Sequence, residues 1–293
     1  MSESAKSEAR TSSATILLTA VALAAFAGNS LIARVALREG SIDAVGFTAL
    51  RILGGAGFLW LLIALPKGGR LPRGSCDWRP AVMLFAYAIT FSLAYLELTA
   101  GTGALILFGA VQITMIGVGL VTGERFRPRQ LAGALVAVGG LVYLTLPGVA
   151  APPLRGAILM AASGVAWGVY SLLGRNVSNA AAATTANFML AAPLALVSGA
   201  AMLPSLELSS SGVWWAILSG AITSGLGYIV WYLALPGLGS LRAGVSQLTV
   251  PVIAALGGAA LLAEPVTVRL ALSAVATLGG VALAVAGRSG SRR

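Results

Sequence analysis

Phe26-Ala27-Gly28-Asn29-Ser30-Leu31-Ile32-Ala33-Arg34 returns 141 positions later as Trp167-Gly168-Val169-Tyr170-Ser171-Leu172-Leu173-Gly174-Arg175. A second signature, Glu124, Arg129 and Gly139-Gly140, returns 140 positions later as Glu264, Arg269 and Gly279-Gly280. The chain therefore reads as two copies of one unit. With an odd number of membrane-spanning segments in each, the second copy lies upside down relative to the first. Inverted repeats build carriers, because rocking one half against the other opens a central site to alternate sides.

Composition points the same way. Apolar residues make up 58% of the chain and charged residues 10%, with a mean hydropathy of +0.91. That is more apolar surface than soluble cores bury, so lipid is the expected solvent. The net charge of +10 is scattered between apolar blocks and forms no stripe. It reads as a topology signal and argues against a nucleic-acid partner.

Ten apolar blocks approach the roughly 20 residues a helix needs to span a bilayer core. They run Thr15 to Ala33, Ala44 to Leu65, Ala81 to Leu98, Ala104 to Thr122, Leu131 to Leu146, Gly156 to Leu173, Ala183 to Leu203, Val213 to Leu235, Ala243 to Ala263 and Leu270 to Ala286. The expectation is an all-α membrane protein of ten transmembrane helices in two inverted five-helix repeats. Residues 1–14 form an N-terminal tail, 15–146 the first repeat, 147–155 a linker, 156–286 the second repeat and 287–293 a basic C-terminal tail. A barrel is excluded because the blocks lack strand alternation. The first block is too long for a signal-peptide core and is followed by Asn29 and Arg34, so it reads as a retained helix.

Placing the N-terminus in the cytoplasm puts fourteen Lys and Arg on the inside. Only Arg34, Arg38, Arg155 and Arg269 then fall outside, which predicts both termini cytoplasmic. The tribasic Arg125, Arg127, Arg129 turn of the first copy shrinks to Arg269 in the second, as inversion requires. The single cysteine, Cys76, excludes an intrachain disulfide. No histidine and no phosphate loop are present, which argues against a catalytic residue set, a metal site, a cofactor and an ATP-driven pump with its ATPase subunit. Gly164-x-x-x-Gly168 and Gly133-x-x-x-Ala137 are small-residue pairs that let helices approach closely.

Further features carry a resemblance. The Gly123-Glu124-Arg125-Phe126 turn has a partner in Ala263-Glu264-Pro265-Val266, and Gln247-Leu248-Thr249-Val250-Pro251-Val252 sits in the ninth block. With the ten-helix inverted repeat and a short turn between the third and fourth blocks, these resemble the EamA-type bacterial branch of the drug/metabolite transporter superfamily. The resemblance spans roughly Ile16 to Ala286, and within that branch the chain looks like the YddG-type amino-acid exporters. It implies a secondary carrier in the bacterial inner membrane. Such a carrier exports amino acids, aromatic and other neutral ones, or, as the alternative, drugs or other small metabolites.

Cavity candidates follow from spacing. Trp167, Tyr170 and Ser171 share one helix face, as do their counterparts Phe26, Asn29 and Ser30; the competing reading is an interfacial anchor. Tyr87 lies deeper in its block. Phe91, Tyr95, Tyr228, Trp231 and Tyr232 read as a pathway mouth or gate, or else as an aromatic belt at the interface. Gln112 and Gln247 are polar within helices, for substrate or for interhelical bonding. Pro251 is expected to kink the ninth helix and free the Gln247 carbonyl. Arg51 snorkels outward, pairs with Asp43 or makes a charge contact with a substrate carboxylate. Glu97 is expected in solvent, and Glu124 and Glu264 are expected to cap turns or pair with Arg129 and Arg269. Facilitated diffusion, exchange and proton antiport stay open.

Overall fold

The computed structural model describes residues 13–38, 40–69, 77–121, 128–148, 151–174, 177, 179–201, 208–234 and 246–286. The Gly123 to Phe126 turn with Glu124, Arg125 and Arg127, together with Cys76, Arg242 and both tails, lies outside them. Among the described residues every regular element is helical. An isolated bridge pairs Ile42 with Leu208.

In chain order the helices are α1 (Ser13–Arg38), α2 (Ala44–Leu59), α3 (Trp78–Tyr95), α4 (Ala100–Val121), α5 (Pro128–Thr145), α6 (Leu154–Gly174), α7 (Ala180–Ala201), α8 (Ser210–Ala234), α9 (Val250–Leu262) and α10 (Val268–Ala286). Among the described residues six segments are long and apolar enough to cross a membrane: Ser13–Arg38, Ala44–Ala64, Ala100–Val118, Leu154–Gly174, Ala180–Ala201 and Ser210–Ala234. Ala132–Thr145, Val250–Leu262 and Val268–Leu283 are shorter apolar helices. Large apolar side chains such as Leu196, Val197, Leu261 and Val275 stand exposed on the outside of the bundle. Hydrocarbon solvates such a surface and water does not, so the chain is a multi-pass membrane protein.

Local chemistry sets several helix starts. Asp43 caps α2 by accepting from the backbone N–H groups of Val45 and Gly46, and Ser209 caps α8 at Gly212. Asp77 caps α3, and the N–H of Arg79 holds its carboxyl below the usual carboxylate range. α9 starts at Val250 with Pro251 in its first turn, where a missing N–H leaves no bond unmade, and residues 246 and 247 before it are helical. Residues 248 and 249 form a turn instead of continuing the helix back toward residue 243.

Packing rests on small residues, since lipid supplies no hydrophobic drive between helices. A Cβ on Gly164 would sit 2.6 Å from the Cβ of Ala110, and one on Gly168 would meet Thr114 at 3.0 Å, so both glycines seat α6 against α4. The α5–α10 crossing uses Gly140 against Thr277 and Gly280 against Gly133 and Ala137. Both expected small-residue pairs thus lie in helix crossings.

Candidate functional site

The center of the bundle holds a column of aromatic rings. Tyr95 packs edge-on against Phe91 at 4.7 Å, Phe91 meets Tyr87 at 5.3 Å and Tyr87 meets Trp167 at 5.0 Å. Trp167 contacts Tyr228 at 4.7 Å, and Phe26 touches Trp167, Tyr228 and Trp231 at about 6 Å. These residues are buried. An interfacial belt is therefore excluded for Phe91, Tyr95, Tyr228 and Trp231. Tyr232 is partly buried and lies against Gly174.

A small cavity opens within this column, lined by Phe26, Asn29, Ser30, Tyr87, Phe91, Leu107, Phe108, Trp167 and Tyr228. Its wall has a symmetry that follows from the sequence offset. Phe26 and Trp167 are 141 positions apart, and so are Tyr87 and Tyr228. Phe26 meets Trp167 edge-on at 6.1 Å, and Arg51 Nη2 donates to both the Tyr87 and the Tyr228 hydroxyl, so residues at one sequence offset share the cavity wall.

One polar network backs this wall. Asn29 Nδ2 donates to the Tyr87 hydroxyl at 3.3 Å, while Asn29 Oδ1 accepts from Ser219 at 2.6 Å and Thr223 at 3.2 Å. Arg51, 2% exposed, donates from Nε to Ser224 at 3.1 Å and from Nη2 to Tyr87 at 3.0 Å and Tyr228 at 3.3 Å. Its guanidinium also lies 5.1 Å from the Tyr87 ring center and 5.0 Å from that of Phe91. Arg51 Nη1 has no partner.

The backbone of α8 shapes this network. From Ser219 to Leu226 α8 widens into turns closed by bonds to the fifth residue, a form frequent at functional sites and also seen at Trp60–Ala64. The wide segment carries Ser219, Thr223 and Ser224 toward α1 and α2. Gly220 lies directly on the Arg51 carbonyl, with no room for a side chain.

The expected site residues divide in the fold. Asn29, Tyr87, Trp167, Phe91 and Tyr228 gather at the cavity. Tyr170 stacks on Trp167 at 5.3 Å and accepts from Asn187 Nδ2, one layer behind the wall. Ser171 donates to the carbonyl of Trp167 in its own helix. Gln112 and Gln247 are buried outside the cavity lining, and Pro251 opens α9. Two readings of Arg51 are corrected: its burial rules out snorkeling, and its side chain bonds Ser224, Tyr87 and Tyr228 with no ion pair to Asp43. Leu107, Phe108 and the Ser219, Thr223, Ser224 hydroxyls escaped the sequence reading. The 141-residue offset already contained the Tyr87–Tyr228 partnership.

The bundle is tied at the end where α1 finishes. Arg34 Nε binds Glu264 Oε1 at 2.8 Å, Glu264 Oε2 accepts from Ala100 N at 2.8 Å, and Arg34 Nη1 donates to the Tyr95 carbonyl at 2.9 Å. This corrects the pairing expected between Glu264 and Arg269, whose guanidinium lies over the Tyr143 ring instead. Ala263, in the left-handed region at φ 51°, turns the chain back over α9, and Gly258 leaves room for the Glu264 carboxylate. Glu97, expected in solvent, accepts from Gly156 N at 2.9 Å and faces Arg155 at 3.6 Å. Ser209 bonds Ser41 at the same end.

Comparison with known proteins adds kinship. Residues 154–286 match the model of the EamA-like transporter family. An uncharacterized protein of Pseudomonas aeruginosa is 52% identical over 277 residues, covering 94% of this chain and 96% of that one. An uncharacterized transporter of Archaeoglobus fulgidus is 27% identical over 289 residues, 94% of this chain and 98% of that protein. A solved crystal structure superposes with a TM-score of 0.64 at 24% identity over 93% of this chain and 97% of its own, a likeness of fold.

Proposed function

Because this chain belongs to the EamA-like transporter family of the drug/metabolite transporter superfamily, and is a transporter and not an enzyme, we propose that it is a secondary carrier exporting amino acids by alternating access. Its substrates are aromatic and other neutral amino acids, and its place is the bacterial inner membrane. Ten crossings in two inverted five-helix repeats, both termini cytoplasmic, agree with the distribution of Lys and Arg along the chain. The described ties at the α1 end then belong to the outer side, so the conformation is the one closed to the outside.

The observation that carries this reading is the cavity wall: two pairs of repeat-related aromatics, Phe26 with Trp167 and Tyr87 with Tyr228, with Asn29 and Ser30 as polar groups. Flat rings bind an aromatic or aliphatic side chain, and a few polar groups orient the rest. A center shared by both repeats is also where rocking presents a ligand to either side.

The test is transport of labeled phenylalanine by the purified protein in proteoliposomes. Trp167→Ala is expected to lower uptake about ten-fold at normal expression, the effect of losing one large ring contact. Undiminished transport by that variant would remove the aromatic site. Competition by hydrophobic cations and not by amino acids would establish the drug-exporter alternative.

A further inference from the structure

We propose that Arg51 is the receptor for a carboxylate on the transported molecule, so that the carrier selects acids and zwitterions over their esters and amines. This rests on the carrier reading above and names the chemical class of its substrate.

A guanidinium has five N–H donors and stays charged at any physiological pH. In Arg51, Nε and Nη2 account for three of them, all used on neutral hydroxyls of Ser224, Tyr87 and Tyr228. The two donors of Nη1 are buried with no partner. A buried cation without a counter-charge is strongly unfavorable, and a single added anion relieves it.

The described part of the protein offers no anion to this group. Asp43 caps α2 through Oδ1, its Oδ2 has no partner and no ion pair joins it to Arg51, while Asp77 caps α3 beside Arg79, Glu97 serves Gly156 and Arg155, and Glu264 serves Arg34 and Ala100. Meanwhile Tyr87, Phe91 and Tyr228 are at once the cavity wall and the neighbors of Arg51. One layer of side chains therefore separates the unmatched charge from the cavity. A carboxylate entering there replaces neutral acceptors by a charged one and uses Nη1, giving shorter and stronger hydrogen bonds.

The charge also breaks the symmetry of the site. The position 141 residues after Arg51 is Ala192. The cavity is paired in its rings and one-sided in its charge, so a bound molecule is oriented with its carboxylate toward α2 and its side chain toward Trp167.

The experiment uses the full-length protein in proteoliposomes, with uptake of labeled L-phenylalanine competed by unlabeled phenylalanine, 3-phenylpropionate, phenylalanine methyl ester and 2-phenylethylamine. The two carboxylates are expected to compete at least about ten-fold better than the ester and the amine, the scale of a charge-assisted bond. Arg51→Lys keeps this preference and Arg51→Gln loses it. Equal competition by ester and acid in the native protein would overturn the proposal, whether or not either variant folds. Should labeled phenylalanine not move, protection of the native protein against thermal unfolding is measured with the same four compounds. Protection by the carboxylates alone upholds Arg51 while the amino-acid reading fails; protection by all four alike, or by neither acid, overturns it.

Discussion

Gly220→Ala is expected to give a destabilized carrier with little transport, although it adds a single methyl group. A Cβ there would overlap the carbonyl oxygen of Arg51 and lie 3.0 Å from its Cα, so the obstacle is backbone and cannot rotate away. Parting α8 from α2 would also pull Ser224 from Arg51, now 3.1 Å apart, and loosen the seat of Phe188 against Gly55. Overpacking of this kind costs about 1–3 kcal/mol and more when backbone must shift. Gly57→Ala on α2 is the control, because nothing lies within 4 Å of its added Cβ. It should hold or raise stability, since alanine is the better helix residue by roughly 0.5–1 kcal/mol. Thermal unfolding in detergent checks both, and a Gly220→Ala protein that melts with the native one would show that α2 and α8 do not meet through backbone.

Glu264→Gln is expected to open the end of the bundle where α1 finishes. The carboxylate is 6% exposed and its partner Arg34 13%, so the pair is largely removed from solvent. Replacing the anion leaves Arg34 with the carbonyls of Tyr95 and Leu96 alone and weakens the bond to Ala100 at the start of α4. Removing one partner of a buried pair costs about 3–5 kcal/mol, much of it the stranded charge. If this tie holds the conformation closed at that end, a cysteine placed at Ser30 should react faster with a reagent added from outside. Transport should fall because the closed state is less populated. Combined with Arg34→Gln, the loss should be smaller than the sum of the single losses, by about 1 kcal/mol or more. Strictly additive effects, or unchanged labeling, would remove the tie from the transport cycle.

How the site came together explains what was readable beforehand. Trp167 and Phe26 were found because their motif repeats, and the same offset applied to Tyr87 leads to Tyr228. Gln112 and Gln247 stood out as polar residues in apolar blocks, yet polarity says nothing about which face of a helix meets the cavity, and neither lines it. Glu264 lies five positions from Arg269, but the left-handed turn at Ala263 sends it to Arg34, 230 residues away. A kink at Pro251 presumes a helix continuous back to residue 243, whereas a turn at residues 248 and 249 separates the helical residues 246 and 247 from α9.

The amino-acid order alone determined the membrane class and the helical composition, because each depends on properties that add along the chain: apolar length and helical period. The environment of Arg51 was decided only in three dimensions. Its partners Tyr87, Ser224 and Tyr228 lie 36, 173 and 177 residues away, brought into reach by a widened stretch of α8 and a glycine that lets two backbones touch. Whether a charge in a membrane helix snorkels, pairs or waits for a ligand is set by the groups around it after folding, and these come from segments that composition and period treat as independent.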